Sequence, residues 1–250
     1  MGTLIVHREG QVLRLRLQNP AKRNALDLAM LAALDEQLAL AERDGSIRLV
    51  LLSGTPGGGF SSGADIREWA PMDPDTFAGE WIAHGNAIFR RLEALRCPTV
   101  AVIEGACWGG GLELALCCDL RVATPAARLR FPELTIGAIP GWEGGPRLAR
   151  LAGRGRVLEA VLTAREIDAG TGERWGVLNA VWPAEELPQR LAELSRQLCA
   201  VSPQAATLAK ALIVQDGDAA AHAAAARRIK ASTDSRLGIQ AFFDKKTAVF

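Results

Sequence analysis

The hydrophobic pattern of the chain predicts an α/β core followed by a helical C-terminal module. Strand-like runs alternate with helix-spaced runs as far as Phe131, and only helical spacing follows Pro140. No fixed repeat or low-complexity linker interrupts the chain, so the two parts are expected to pack together. With 250 residues, 49% of them hydrophobic, the chain fits one large domain or a domain with an appendage.

Leu4–Val6 and Val12–Leu17 read as a hairpin, because Leu13, Leu15 and Leu17 alternate with Arg14 and Arg16. Asn19-Pro20 stops it. From Asp27 to Glu42, Leu28, Leu31, Leu34, Leu38 and Ala41 recur at helical spacing, with Asp27 or Asn24 as cap and Gly45 at the end. Arg48–Ser53 is a buried strand running into a glycine loop, Gly57–Asp65. A long helical stretch over 74–95 ends before Cys97-Pro98. Thr99–Ile103 is a strand that leads into Gly105–Ala115, where Gly109, Gly110 and Gly111 open a short helix carrying Glu113. Asp119–Ala123 and Leu129–Phe131 add two strands, the second delivering Glu133. Helices are then expected at about 144–152, 154–163, 184–200, 203–215 and 218–231, with a short terminal piece. The change of character suggests a core over 1–190 and a C-terminal module over 191–250.

Composition narrows the function classes. A formal charge of +1 disfavours a general electrostatic role on nucleic acid or a membrane surface. The one basic cluster, Arg227-Arg228-Ile229-Lys230, reads as the solvated face of a helix. Five cysteines without a CxxC pair fit neither a disulfide framework nor a zinc ribbon, and neither they nor the histidines have metal-ligand spacing. The N-terminus has no secretory pattern and no apolar run approaches a membrane span, so a cytoplasmic protein with reduced thiols is expected. Neither GxGxxG nor GxxxxGK[ST] is present. Gly59-Phe-Ser61-Ser-Gly63 satisfies the serine-hydrolase GxSxG pattern, but a glycine-rich loop stands where the strand should lead directly into the nucleophile turn.

The chemistry-bearing residues are two glutamates beside two glycine loops. Glu113 sits in the first turn of its helix among Leu112, Leu114, Ala115 and Leu116, an apolar setting that raises a carboxyl pKa toward working pH. Glu133 follows Pro132, which restrains its backbone. Bare backbone in both loops can present N–H groups to a developing oxyanion, and the start of a helix has such groups unpaired. Tight strand-to-helix packing is the other use of such glycines.

These segments resemble the crotonase superfamily, the enoyl-CoA hydratase/isomerase family, across essentially the whole chain. The resemblance rests on Asn19–Leu26, Phe60–Ile66, Gly105–Glu113, Cys118-Asp119, Phe131–Leu134 with Ile139-Pro-Gly141, Arg147-Leu148 and Ala241–Lys246. It implies a spiral core of ββα turns and C-terminal helices that form a homotrimer or a hexamer of two trimers. It implies an acyl-CoA substrate with no separate cofactor, an oxyanion hole from the N–H groups of Ala64 and Gly110, and Glu113 and Glu133 as catalytic acids and bases. Enoyl-CoA hydration is the implied reaction. Isomerisation, thioester hydrolysis or a silent CoA-binding subunit are the alternatives. Lys22, Arg23, Asp65 and Ile66 are expected along the CoA moiety, and Ala25, Ser62, Gly109, Pro132 and Gly141 are further expected substrate contacts. Phe242 and Lys245 resemble tail residues that contact CoA, often across a subunit boundary.

Three residues stand apart from the usual pattern. Glu143 occupies a place where a small residue is common, giving either a third carboxylate at the acyl pocket or a charge at the start of the next helix. Trp108 and Trp142 either line the pocket, which favours small or flat acyl groups, or fill the core. The chain has no tyrosine, which disfavours branches of the family that need a phenol.

Overall fold

The computed structural model describes residues 1–250. β1 (Thr3–Glu9) and β2 (Val12–Gln18) form the antiparallel hairpin, with Leu13, Leu15 and Leu17 buried. β3 (Leu49–Gly54), β4 (Thr99–Ile103), β6 (Leu120–Ala123) and β9 (Ala180–Val181) join parallel to β2, giving the sheet order β1-β2-β3-β4-β6-β9. A second sheet has the order β5 (Ala106–Trp108), β7 (Arg128–Arg130), β8 (Ile167–Asp168). Side chains alternate across a strand, so the continuous run Leu49–Leu52 serves both faces. Val50 and Leu52 enter the main core, while Leu49 and Leu51 meet Val100, Val102, Val122 and Leu187 on the other side.

The chain visits the two sheets in turn. After β3, Ser61 bridges to Cys107 in the second sheet and α2 (Ile66–Trp69) follows. After β4 come β5 and α5 (Gly110–Leu116). After β6 come β7 and a 3-10 turn, Glu133–Ile136. Each passage ends on the same side, which brings the glycine loops and both glutamates together. The α/β core followed by helices that the pattern predicts is what forms.

α1 (Leu28–Arg43) carries Leu31, Leu34, Leu38 and Ala41 into the core, and Asp27 caps it by accepting the Met30 N–H at 2.9 Å. The stretch over 74–95 is helical but not uniform. α3 (Pro74–Thr76) passes into a π-helical segment, Phe77–Ala83, and then into α4 (His84–Ala94). Trp81 is buried and continues at helical spacing the row Gly85, Ile88, Phe89 and Leu92. β5, β8, β9, α2 and α8 (Ala169–Arg174) are too short to leave a periodic signal and were not expected.

α6 (Gly144–Ala152) and α7 (Arg154–Leu162) close the core. α9 (Leu187–Ala200) lays Leu191, Leu194 and Leu198 on the outer face of the large sheet, so residue 190 lies inside a helix that belongs to the core's packing. α10 (Pro203–Val214), α11 (Ala219–Lys230) and α12 (Thr233–Phe243) follow, the last an eleven-residue helix rather than a short piece. No single helix is long and apolar enough to cross a membrane.

Removing the α1 cap tests this frame. Asp27→Ala is expected to lose about 1 kcal/mol, roughly 2–4 °C in Tm for a chain of this size. An unchanged melting curve would contradict the cap.

Candidate active site

Close approach explains two of the glycines. Gly109 turns the chain from β5 into α5 at φ 49, and a Cβ on it would fall 2.6 Å from Glu133 Oε1. A Cβ on Gly110 would fall 2.4 Å from the Trp142 ring and 3.3 Å from the Ala64 nitrogen. Bare backbone therefore lets α5 start against the second glutamate and the upstream loop. Leu26 pins that loop from one side, since its N–H donates to Gly63 O and its carbonyl accepts the Asp65 N–H, both at 2.8 Å. Ala64 lies between these bonds, with its nitrogen beside Gly110. Neither the Ala64 nor the Gly110 N–H enters a backbone hydrogen bond. Two adjacent free donors are what an oxyanion needs.

Glu113 projects from the first turn of α5 and is buried. Its Oε1 accepts the Trp142 N–H at 2.8 Å and the Gly144 N–H at 2.9 Å. Burial pushes its pKa up to about 7; the two N–H bonds and Arg147 oppose that rise and the charge of Glu133 adds to it. Glu133 opens the 3-10 turn and is half-buried, and desolvation raises it to about 7 as well. Its Oε2 is buried without a partner. Both side chains line one cleft of about 90 Å³, together with Ser62, Ala64, Gly109, Gly110, Pro132 and Gly141. Ile66, Trp69, Phe77, Trp81, Ile82 and Trp142 form its apolar wall. The cleft adjoins an apolar hollow of about 390 Å³ bounded by Trp69, Phe77, Ile82 and Ile136–Gly141. A hollow of about 510 Å³ around Cys117, Cys118 and Lys210 is larger, but it contains neither Glu113 nor Glu133 nor a glycine loop, so the smaller cleft is the candidate site.

The remaining expected residues divide. Trp142 satisfies both readings offered for it. Its ring packs on Trp81 and Phe89 with centroids 5.5 and 5.0 Å away, its Nε1–H donates to Trp81 O at 3.3 Å, and it also walls the cleft. Trp108 does not reach the cleft wall, because the chain turns at Gly109 between them, and its indole nitrogen is buried without a partner. Glu143 is a correction to the expected substrate contact. It sits at the N-terminus of α6, and its carboxylate pairs with Arg90 and Arg147 outside the cleft lining. The Arg90 hydrogen bond and charge hold it below the usual carboxylate range.

Lys22 pairs with Asp65, whose carboxylate also caps α2 through the Arg67 N–H at 3.2 Å. Arg23 is left-handed at φ 51 and its carbonyl accepts the Ser62 N–H at 2.9 Å, while the Ser62 hydroxyl donates to Lys22 O at 2.8 Å. Ala25 is buried beneath this junction. These bonds join the two loops; of the group only Ser62 and Ile66 line the cleft. Phe242 and Lys245 lie at the end of α12, Phe242 78% exposed, and within one chain neither reaches the cleft. Ser61 is fully buried and its hydroxyl donates to Asn24 O at 2.7 Å, with no histidine beside it, so the GxSxG reading fails. Sequence reasoning missed the wall from Trp69, Phe77 and Trp81. The i, i+4 spacing of Phe77 and Trp81 inside the 74–95 stretch was the available signal.

The chain resembles known proteins along nearly its whole length. The family model described as enoyl-CoA hydratase/isomerase matches residues 7–250. The short-chain-enoyl-CoA hydratase of Clostridium acetobutylicum is 35% identical over 85% of this chain and 81% of its own. The 2,3-dehydroadipyl-CoA hydratase of Escherichia coli is 34% identical over 100% and 99%. A solved enoyl-CoA hydratase from Bacillus anthracis superposes with a TM-score of 0.92 and 30% identity, covering 99% of this chain and 98% of that one. A match along nearly the whole length, in sequence and in fold, places the chain in the enoyl-CoA hydratase/isomerase family.

Proposed function

We propose that the protein adds water across the 2,3-double bond of a short-chain enoyl-CoA, using Glu113, Glu133 and the N–H groups of Ala64 and Gly110. One observation carries the reading: two carboxyl groups, each raised to about 7, open onto a cleft that also holds two free backbone donors. The names of the similar hydratases support the same chemistry.

The substrate's thioester oxygen rests on the two N–H groups. Water lies between the glutamates, with Glu113 held in place by its two amides and accepting one water hydrogen. Glu133 takes the other proton as the water oxygen bonds to the β-carbon. The olefin's π pair moves into the thioester, forming an enolate whose oxygen the two N–H groups stabilise. Glu133 then returns its proton to the α-carbon, so both glutamates end as they began. Losing one such donor typically removes roughly 2.7–4 kcal/mol of transition-state stabilisation.

The name of the similar short-chain hydratase supports a short acyl group. Trp81 and Trp142 stand in the apolar wall of the cleft. The steps use no cofactor beyond the substrate's own CoA. A homotrimer, alone or paired into a hexamer, belongs to the same proposal: α12 exposes Leu237, Ile239, Phe242 and Phe243. In such an assembly Phe242 and Lys245 would meet CoA bound to a neighbour, as the tail resemblance implies. A cytoplasmic setting fits five unpaired cysteines.

Glu113→Gln and Glu133→Gln are each expected to lower kcat on crotonyl-CoA by about 10²–10⁴-fold. Full turnover in either variant would contradict the mechanism. Both groups act as carboxylates, so kcat/KM is expected to fall as pH drops through about 7. A rate that stays flat down to pH 5 would contradict this assignment.

A further inference from the structure

The two N–H groups on Glu113 Oε1 come from Trp142 and Gly144, the residues on either side of Glu143. Amides converge in this way around a left-handed residue, and Glu143 has φ 63 and ψ 21. That backbone is disfavoured for a residue with a Cβ and easy for glycine. A side-chain network holds it here. Arg147, 4% exposed, donates from Nη1 to Trp142 O at 2.7 Å and from Nη2 to Glu143 Oε2 at 3.2 Å. Its Nε and Nη2 also donate to Glu93 Oε2 on α4, at 3.2 and 3.0 Å. Arg90, on the same helix, binds the Glu143 carboxylate from the other side, its Nε at 3.2 Å from Oε2. One guanidinium therefore grips both the backbone and the side chain of consecutive residues in the turn. None of these four charged groups lines the cleft.

We propose that Arg147, together with Glu143, Glu93 and Arg90, is a positioning assembly that holds the left-handed turn so that its amides aim the Glu113 carboxylate into the cleft. The importance of that aim for turnover rests on the hydration reading. The groups that face Glu113 are Glu133 across the cleft, Arg147 from α6, and the Cys117 thiol, which burial keeps protonated and which lies 3.2 Å from the Glu113 carbonyl. Weakening the turn removes the N–H bonds that favour the ionised Glu113 and leaves desolvation unopposed.

Glu143→Ala and Glu143→Gly separate this role from a merely structural one. Both delete the carboxylate, but only alanine keeps the penalty on left-handed backbone. In Glu143→Ala, kcat on crotonyl-CoA is expected to fall roughly five- to thirty-fold, with its acid limb moved to higher pH. Glu143→Gly is expected to lose about twofold, and KM to change by less than about twofold in either variant. Equal kcat in the two variants, or a raised KM with kcat intact, would overturn the proposal. A carboxyl NMR titration of Glu113, assigned by its disappearance in Glu113→Gln, reads the aim without turnover. Its midpoint should rise in Glu143→Ala and stay in place in Glu143→Gly. An unmoved midpoint in Glu143→Ala overturns the proposal even if hydration is confirmed, and a moved midpoint in a protein that hydrates nothing upholds it while removing the hydratase reading. Should alanine prevent folding, Arg90→Gln, at an exposed side chain, substitutes for it in the titration with the same expected direction and the same overturning result.

Discussion

A carboxylate buried among leucines survives in this fold because two backbone amides meet it. Without the Trp142 and Gly144 N–H groups, Glu113 would face the full penalty of desolvation and would hold its proton more tightly. The requirement reaches far into the structure. It ties α5 to the turn at 142–144, the turn to α6 through Arg147, and α6 to α4 through Glu93. The same turn places the Trp142 ring against Trp81 and Phe89, so one segment supplies both the anchor of Glu113 and part of the cleft's apolar wall.

The two glutamates are not equivalent. Glu113 has one oxygen fixed by paired donors, which suits a group that orients water. Glu133 is half-buried with an unpartnered Oε2, which suits a group that takes and returns a proton. The Ala64 and Gly110 N–H groups are left free, one because the bridge to Leu26 engages Gly63 and Asp65 on either side of it, the other because it opens a helix. Each passage of the chain between the two sheets thus supplies part of the cleft.

Much of this was legible in the residues because it depends on local rules. The alternating leucines of β2, the Asp27 cap and the glycine triplet ahead of Glu113 each state their structure within a few positions. What was hidden depends on neighbours distant in sequence. Glutamate is not a residue that announces left-handed backbone, so nothing local showed that Glu143 would turn from the pocket to Arg90 and Arg147. Lys22 is satisfied by Asp65, and a π-helical segment, Phe77–Ala83, lies inside a stretch that reads as ordinary helix. Strands of two residues, β8 and β9, have no period to detect. Phe242 and Lys245 do not line their own chain's cleft, and their short tail segment gives no local sign of that placement.

The central claim is that one cleft holds both acids over the reacting carbons while backbone amides hold the thioester oxygen. A crystal structure of the protein with 3-hydroxybutyryl-CoA tests it most directly. The account predicts the 3-hydroxyl within hydrogen-bond reach of both Glu113 and Glu133, and the thioester oxygen on the Ala64 and Gly110 N–H groups. A thioester oxygen bound elsewhere, or a hydroxyl that meets neither glutamate, would contradict it.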